Sequence, residues 1–585
     1  MIKLLKNMKR REVIMALICA LLVFGQIYLE LTLPEYMSEL TVLIQTEGTQ
    51  ISQIWQTGLK MLAYTLASAV LSVMCGYLAA RTAAGFSYNV RGKLFNHVMG
   101  LGQQEMLEFS VPSLITRTTN DITQVQMLIA MGLQIFIKAP VMAVWAVIKI
   151  LGKSRELSFV TAGFVVVICV SVLCIMLTVL PRFRIVQKLT DKINKVVREN
   201  LTGINVVHAF NAEEYQNDKF DKVNTEMMKT QLFNQRMFSF MQPIMTLGMN
   251  GLSLSIYWVG AALLNAIAFT DVAARLGMFS DIVVFSTYAT HVVISFMMMV
   301  MIFMMLPPAL ISAERINAVL DRKPNVKEGS VNEGREVGTV EFKNVTFRYP
   351  DAGEDELIDI SFKVNRGETL AIIGATGSGK TTLISLIPRF FDATKGEVLV
   401  DGVNVRDYTF DALYNRLGYV TQKAVLFAGS IKENITFGES AQTTDDADVD
   451  KAIELAQAAE FVNRLEGGKE YSIAQAGKNV SGGQKQRISI ARALARRSEI
   501  LIFDDSFSAL DYRTDAMLRA GLEKELGGTT KIIVAQRIST IRNADKIIVL
   551  DDGRMAGMGT HDELMKNCEI YREIAVSQLS ARELA

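Results

Sequence analysis

Six long apolar stretches occupy the first 313 residues, and they constrain the fold more than any other feature. They lie at Val13–Leu29, Met61–Ala80, about Met127–Leu151, Leu157–Leu180, Met237–Thr270 and Ile282–Ala313. A membrane-crossing helix needs about 20 predominantly apolar residues. A buried core helix can be equally apolar, but several runs of this length in succession favour membrane spans. The sequence therefore predicts an α-helical membrane domain over residues 1–322, with six transmembrane helices at about residues 13–34, 58–80, 127–151, 157–180, 237–264 and 279–306.

Basic residues at the start of the chain set the expected orientation of these helices. Lys3, Lys6, Lys9, Arg10 and Arg11 precede the first apolar run, and cationic flanks favour the cytoplasmic side. A cleaved signal peptide would also begin this way, but more spans follow, so we expect a retained helix. The long connections at about residues 81–126 and 181–236 are then cytoplasmic. Their charged, helix-like pattern predicts that the spans continue as helices beyond the bilayer.

Polar side chains and flexible methionines inside the spans are candidates for a substrate pathway. Ionisable groups in a span are functional candidates by default, although Lys138 and Lys149 could instead reach a membrane interface with their long stems. His291 lies within the sixth span, near Phe296 and a run of methionines that includes Met298. Methionine surfaces are adaptable and suit varied ligands, but they pack equally well against lipid. We predict a pathway containing His291, Phe296, Met298 and Lys138, and we expect Pro307 and Pro308 to distort the end of the sixth helix.

Charge and cysteine content exclude several protein classes. Lysine and arginine total 61 against 60 aspartate and glutamate residues, which argues against a nucleic-acid-binding protein. Charged residues make up 21% of the chain, too many for a chain that lies entirely in the membrane. Five cysteines without a C-x-x-C pair do not form a disulfide framework or a metal site.

The second half of the chain has the pattern of a soluble domain that binds phosphate. A polar linker at residues 323–338 leads to alternating strand and helix patterns over residues 339–585. The apolar strand Leu370–Ile373 is followed by G-x-x-x-x-G-K-T and a helix predicted at Thr382–Phe391. Such a loop closes backbone N–H groups around phosphate, its lysine reaches the outer phosphates and its threonine contacts Mg²⁺. We predict an α/β P-loop ATPase domain that binds ATP through Gly374, Thr376, Gly377, Ser378, Gly379, Lys380, Thr381 and Thr382.

Two further segments complete the phosphate chemistry. The strand Ile500–Phe503 ends in Asp504 and Asp505, and an acid at this place relative to a P-loop is expected to hold the metal. Between the P-loop and this strand lies Val480-Ser481-Gly482-Gly483-Gln484, a turn that opens a helix and offers a second anion-binding terminus. One chain does not need two such termini for one ATP, whereas two chains facing head-to-tail would use both.

These ordered motifs resemble those of an ATP-binding cassette (ABC) exporter half-transporter over nearly the whole sequence. The P-loop matches the Walker A motif, and Ile500–Asp504 matches Walker B. The resemblance assigns adenine stacking to Tyr349 and the Q-loop contact with Mg²⁺ to Gln422. It assigns metal binding to Thr381, Gln422 and Asp504. The signature motif is then Val480, Ser481, Gly482, Gly483 and Gln484, and the D-loop is Ser508, Ala509, Leu510 and Asp511. It implies two cassettes that close on two ATP with Mg²⁺, each ATP held between one chain's Walker A and the other chain's signature. It also implies cytoplasmic coupling segments near Gln103–Ser113 and Glu199–Tyr215.

Two catalytic positions depart from the family pattern, and before the signature Gln475 stands where exporters commonly have glutamate. Asp505 stands where the family has the glutamate that polarises the attacking water, and Gln536 stands where it has the switch histidine. A positioned general base contributes about 10²–10⁴-fold to a rate, so a shorter carboxylate can slow hydrolysis while ATP binding persists. This pair of changes resembles the degenerate-site subunit of heterodimeric bacterial multidrug exporters. We therefore expect Asp505 and Gln536 to form a catalytically impaired site.

The sequence thus predicts a multi-pass subunit of a bacterial cell-membrane exporter that moves drug-like or lipid-like amphiphiles. Its partner would be a second half-transporter carrying the catalytic glutamate and switch histidine. Three alternatives stay open: a homodimer in which Asp505 is competent, an exporter dedicated to one peptide or lipid, and a protein in which ATP binding gates a channel or sensor partner.

Overall fold

A computed structural model describes residues 1–46, 48–151, 154–268, 271–350, 352–438 and 444–578 of the chain. The chain divides into two compact units. The first, the membrane unit, comprises Met1–Met99 and Val111–Arg322. The second, the α/β unit, comprises Gly100–Ser110 and the chain from Lys323 onward.

Long helices build the membrane unit. In chain order, the helices of the first half of the chain are α1 Ile2–Leu5, α2 Arg10–Gln45, α3 Ile51–Met99, α4 Gln103–Glu108, α5 Val111–Thr116, a π-helical turn Arg117–Asp121, α6 Ile122–Leu151, α7 Arg155–Thr202, α8 Ile204–Ala209, α9 Glu213–Ser239, α10 Met241–Ala266 and α11 Val272–Leu320. Of these, α4 belongs to the α/β unit. Six helical segments of the described chain are long and apolar enough to cross a membrane, which confirms the predicted number.

The spanning helices extend well beyond their apolar stretches, as their charged flanks predicted. Helices α3 and α11 each contain 49 residues, about 74 Å at the helical rise of 1.5 Å per residue, against a hydrocarbon layer of about 30 Å. The expected distortion at Pro307 and Pro308 does not interrupt α11, which runs unbroken to Leu320. Neighbouring helices and local side chains satisfy the backbone groups that proline frees within a membrane bundle.

The core of the membrane unit is apolar, with a few polar links between helices. Tyr288 of α11 is fully buried, and its hydroxyl donates a hydrogen bond of 2.9 Å to the carbonyl of Leu31 in α2. Ser38 and Ser280 join the same two helices through their hydroxyls at 2.5 Å. Satisfied polar contacts of this kind fix the register between helices in an apolar surrounding.

The described residues of the α/β unit form two sheets of more than two strands. The strands are β1 Val340–Phe347, β2 Leu357–Val364, β3 Thr369–Gly374, β4 Lys395–Val400, β5 Val403–Asn404, β6 Leu417–Val420, β7 Gly429–Ser430, β8 Ser472–Ile473, β9 Ile500–Asp504, β10 Thr530–Val534, β11 Lys546–Asp551 and β12 Arg554–Gly559. The helices are α12 Lys380–Ser385, α13 Phe410–Arg416, α14 Ile431–Ile435, α15 Asp446–Leu455, α16 Ala459–Arg464, α17 Gly482–Ala495, α18 Tyr512–Glu525, α19 Ile538–Ile541, α20 His561–Asn567 and α21 Glu569–Gln578. This confirms the predicted α/β class of the second half.

Sheet topology brings the predicted site together. The larger sheet has the strand order β12-β11-β3-β10-β9-β6, in which all strands except β12 run parallel. Strands β9 and β10 are buried at every residue, as expected for a parallel sheet covered on both faces. The neighbouring strands β3, β10, β9 and β6 end beside the P-loop, Gln536, Asp504 and Gln422 respectively. Because parallel strands end at one edge, four distant segments converge there.

Two segments of the α/β unit differ from the simplest interpretation of their sequence. The helix predicted at Thr382–Phe391 is α12, which starts at Lys380 and ends at Ser385. Pro388 disfavours helix at the residue before it, and Arg389 has a left-handed backbone with φ of 58°. Residues 323–338 follow the surface of this unit, where Gly329 donates its N–H to the Tyr408 carbonyl at 2.9 Å.

Candidate nucleotide-binding site

The P-loop between β3 and α12 forms a tight backbone cradle. A Cβ on Gly374 would lie 2.1 Å from the Leu550 carbonyl oxygen, and one on Gly379 would lie 2.8 Å from the Leu357 side chain. Gly377 and Gly379 have φ of 86° and 89°, a left-handed conformation that glycine adopts without strain. Each glycine is therefore required by close approach or by backbone conformation. The space beside Gly377 is open, which leaves the loop accessible to a ligand.

Lys380 and Thr381 connect this cradle to β9. The Lys380 ammonium donates hydrogen bonds to the carbonyls of Gly374 and Ala375 at 2.9 and 2.6 Å. The Thr381 hydroxyl donates to Asp504 Oδ1 at 3.0 Å. Burial raises the pKa of Asp504 and lowers the pKa of Lys380, because desolvation disfavours the charged form of each group. The hydroxyl and carboxylate oxygens are the kind of ligand that Mg²⁺ prefers, so this pair fits the metal predicted from the sequence.

Tyr349 lies two residues beyond the end of β1, and its ring packs against two other aromatic rings. It makes edge-on contacts with Phe347 and Phe391 at centroid distances of 4.8 and 5.3 Å. Its hydroxyl is 3.0 Å from the Thr382 hydroxyl, which ties the tyrosine to the helix that follows the P-loop. The geometry fits an aromatic platform for an adenine ring beside the phosphate cradle.

Asp505 accepts hydrogen bonds from two glutamine side chains. Gln536 donates from Nε2 to Asp505 Oδ2 at 2.8 Å, and Gln422 donates to the same oxygen at 3.3 Å. Asp505 is buried and has φ of 46°, which places its carboxylate between the ends of β6 and β10. The structure thus brings Asp505 and Gln536 together with Gln422, the Q-loop residue that the resemblance also makes a catalytic candidate, and it adds amide contacts that the sequence did not reveal.

The signature segment forms the start of α17. Ser481 accepts a hydrogen bond from the backbone N–H of Gln484 at 3.4 Å, and Gln484 Oε1 accepts one from the N–H of Ser481 at 2.8 Å. This reciprocal capping box fixes the helix start. Gly482 has open space around it, and a Cβ on Gly483 would lie 3.3 Å from the Ala509 carbonyl. Val480 is buried beneath the turn.

The predicted D-loop begins three residues after Asp505. The Ser508 hydroxyl donates to the Asp505 carbonyl at 2.8 Å, and Ala509 is the residue that approaches Gly483. Leu510 is buried, while Asp511 caps α18 by accepting from the N–H of Thr514 at 3.0 Å. This segment therefore links Asp505 to the signature segment within one chain. Among the hydrogen bonds of the described residues, none joins the signature segment to the P-loop.

The predicted substrate-pathway residues lie in the membrane unit, where Lys138 has an acidic partner. Its ammonium donates to Glu30 Oε1 of α2 at 2.9 Å, and Lys149 pairs with Glu35 at 2.5 Å. Glu30 was not among the predicted site residues. The signal for it was available, since Glu30 directly follows the apolar run Val13–Leu29. Phe296 packs against the apolar core of the unit, and Met298 is half-buried.

Comparison with known proteins decides the family. The model described as "ABC transporter" matches residues 357–508, and "ABC transporter transmembrane region" matches residues 14–288. An ABC transporter ATP-binding protein of Mycobacterium tuberculosis is 36% identical over 90% of this chain and 89% of its own length. The chain belongs to the ABC transporter family. The order of its membrane and ATP-binding domains is that of an exporter, which makes it a multi-pass membrane protein of ATP-driven export.

Further relatives and a solved structure agree with this assignment. The ATP-dependent lipid A-core flippase of Pseudomonas putida is 31% identical over 84% of this chain and 80% of the flippase. The structure of a bacterial Atm1-family ABC exporter with ATP bound has a TM-score of 0.80, with 98% of each chain covered. Sequence identity to that exporter is 23%, so the likeness establishes the fold.

Proposed function

We propose that this chain is one subunit of a heterodimeric ABC exporter of amphiphilic compounds, and that its own Walker site hydrolyses ATP slowly. In this account Lys380, Thr381 and Asp504 hold ATP and Mg²⁺, and Tyr349 carries the adenine. The signature segment, Val480–Gln484, completes the active site formed with the partner's Walker motifs. The partner supplies the catalytic glutamate and switch histidine.

The observation that carries this proposal is the environment of Asp505. Its Oδ2 accepts both glutamine amides, and an oxygen that accepts two donors has its lone pairs engaged by protein. Only Oδ1 is free of these two contacts, on a side chain one methylene shorter than glutamate. A displacement of about 1 Å can cost on the order of 10²-fold in rate. The contacts thus support an Asp505 carboxylate that is fixed by protein hydrogen bonds and is not available to polarise an attacking water molecule.

Gln536 supports the same conclusion. An amide donates a hydrogen bond but carries no titratable proton near neutral pH, whereas imidazole does. Here the amide is engaged by Asp505 within its own chain. The two residues that depart from the family pattern therefore contact each other, while the P-loop and the signature segment retain their motifs.

Two observations support an amphiphilic substrate. The membrane unit exposes Met301, Phe303 and Met304 on α11, which offers adaptable apolar surface. Several relatives are named lipid A-core flippases, which favours a dedicated lipid exporter as the second candidate. Stimulation of the ATPase by many unrelated amphiphiles would select the broad exporter, and one strong stimulant would select the dedicated one.

Native mass spectrometry of the tagged chain tests the heterodimer. The chain is expressed together with its neighbouring genes and purified in detergent. We expect a complex with a different chain of similar mass, whose sequence has glutamate and histidine at the positions of Asp505 and Gln536. A complex of twice the mass of this chain would contradict the heterodimer, and both of its sites would then depend on Asp505.

A further inference from the structure

A charged cluster, Gln26, Glu30, Lys138 and His291, lies among three spanning helices of the membrane unit. Glu30 of α2 pairs with Lys138 of α6 at 2.9 Å, and their side chains are 23% and 18% exposed. Gln26, one turn before Glu30, donates to the same Oε1 at 2.8 Å. Charged side chains inside a membrane bundle are costly and usually face its interior or a water-filled cavity.

His291 of α11 completes this cluster. Its helix α11 packs against both α2 and α6, which places the ring within reach of the charges of Glu30 and Lys138. Its Nδ1 is buried and has no hydrogen-bond partner among the described residues. A buried polar atom without a partner costs free energy, so a ligand that bonds to it would recover that cost.

The hydrogen-bonding capacity that remains on Lys138 consists of donors, while Glu30 and Gln26 keep acceptor capacity in the same cluster. Lys138 has three N–H groups, and within the described chain it is bonded through one contact, to Glu30. Glu30 Oε1 already accepts from both Lys138 and Gln26. Lys138 therefore has capacity for a further acceptor, and a neutral His291 ring donates from one nitrogen and accepts at the other. A ligand group that bonds to Lys138 must supply acceptor atoms, as an anionic headgroup does.

An apolar surface continues from this cluster along α11. Met298 follows His291 by seven residues, two helical turns, and so lies on the same face of the helix. Met298 is half-buried, and a flexible thioether side chain adapts to an irregular hydrocarbon partner. Polar donors followed by apolar surface match the two ends of an amphiphile.

We propose that Lys138 and His291 bind the anionic headgroup of the transported amphiphile, and that Glu30 is the counter-ion of Lys138 when no headgroup is bound. This inference rests on the proposed export of amphiphiles and names their charge class. Entry of the headgroup transfers the Lys138 donors from Glu30 to the ligand, and the hydrocarbon tail lies along the Met298 face.

Equilibrium binding without ATP tests this site separately from export. The assembled complex in nanodiscs is titrated with fluorescent lysophosphatidylglycerol, lysophosphatidylcholine and monoacylglycerol that have the same acyl chain. We expect the anionic lysolipid to bind most tightly. Lys138→Met should weaken its binding about 10- to 100-fold, the range for a lost hydrogen bond to a charged group, and Lys138→Arg should retain it. Binding of monoacylglycerol should be unchanged in both variants.

Two further variants separate recognition from a purely structural ion pair. Glu30→Gln should strengthen binding of the anionic lysolipid, since it removes the competing counter-ion. Lys149→Met is the matched control, because it breaks the neighbouring ion pair with Glu35 on the same two helices and should leave all three affinities unchanged. Equal affinity for all headgroups, unchanged binding in Lys138→Met, or weaker binding in Glu30→Gln would overturn the proposal. Failure of ATP-driven export with this binding intact would contradict the proposed function alone.

Discussion

The P-loop and the signature segment both lead into the start of a helix, but their surroundings differ. The signature segment begins α17 with an intact capping box and keeps its family motif. The P-loop also keeps its motif, yet the carboxylate beside it is shorter than expected and is bonded to two amides of its own chain. Under the proposed function, this difference means that phosphate binding and hydrolysis are separable within one domain. Binding would depend on backbone geometry, while hydrolysis would depend on the position of one side chain.

The largest expected effect is at the signature segment. Ser481→Ala or Gly483→Asp should reduce ATPase turnover of the assembled complex by about 10²–10³-fold, because the proposed function assigns these residues to the partner's site, where hydrolysis is fast. Steady-state phosphate release measures the effect. Ser430→Ala is the matched control, since Ser430 caps α14 with the same kind of capping box. If Ser430→Ala caused the same loss, helix capping rather than phosphate contact would explain both results.

The next effect concerns ATP retention at this chain's own Walker site. Lys380→Ala should weaken ATP binding to this chain about 10- to 100-fold, as expected for loss of a charged hydrogen-bond donor. Photolabelling with an azido-ATP, followed by separation of the two chains on a gel, reads out each site alone. Lys469→Ala removes an exposed ion pair with Asp450 and should leave labelling unchanged. Undiminished labelling of the Lys380→Ala chain would refute a binding role for the P-loop.

A smaller effect is expected at the aromatic platform. Tyr349→Ala should weaken ATP binding to this chain about 2- to 10-fold, the usual value of one aromatic stacking contact. Tyr349→Phe keeps the ring and loses only the contact with the Thr382 hydroxyl, so it should bind ATP almost as well as the unmodified chain. The same photolabelling applies. Equal losses in the two variants would mean that the hydroxyl contact, not stacking, is what matters.

The smallest effect on turnover is expected at Asp505, the carboxylate beside the P-loop. Asp505→Asn should reduce turnover by less than about threefold, whereas loss of a working general base costs about 10²–10⁴-fold. Asp504→Asn changes the neighbouring carboxylate in the same way and serves as the comparison. It should reduce Mg²⁺-dependent photolabelling of this chain by azido-ATP. A hundredfold loss of turnover in Asp505→Asn would show that this carboxylate is a competent base.

Part of this architecture could be predicted from the sequence because it depends on local spacing. The six spans, the P-loop and the acids after β9 follow from apolar run length and motif order. The contacts of Asp505 could not be predicted, since they depend on β6, β9 and β10 ending at one edge of the sheet. Likewise, Glu30 marked only the end of an apolar run until packing of α2 against α6 placed it beside Lys138. Helix α12 ends early because Pro388 and the backbone of Arg389 override an apolar pattern that otherwise suits a longer helix.

Nucleotide content after turnover tests the slow-site account most directly. The purified complex is incubated with Mg²⁺ and ATP, separated from free nucleotide and denatured, and the retained ATP and ADP are quantified. The account predicts that one ATP per complex stays unhydrolysed, and that Lys380→Ala in this chain abolishes its retention. Retention of ADP alone, or of ATP that persists in the Lys380→Ala complex, would contradict the claim that this chain's Walker site binds ATP and hydrolyses it slowly.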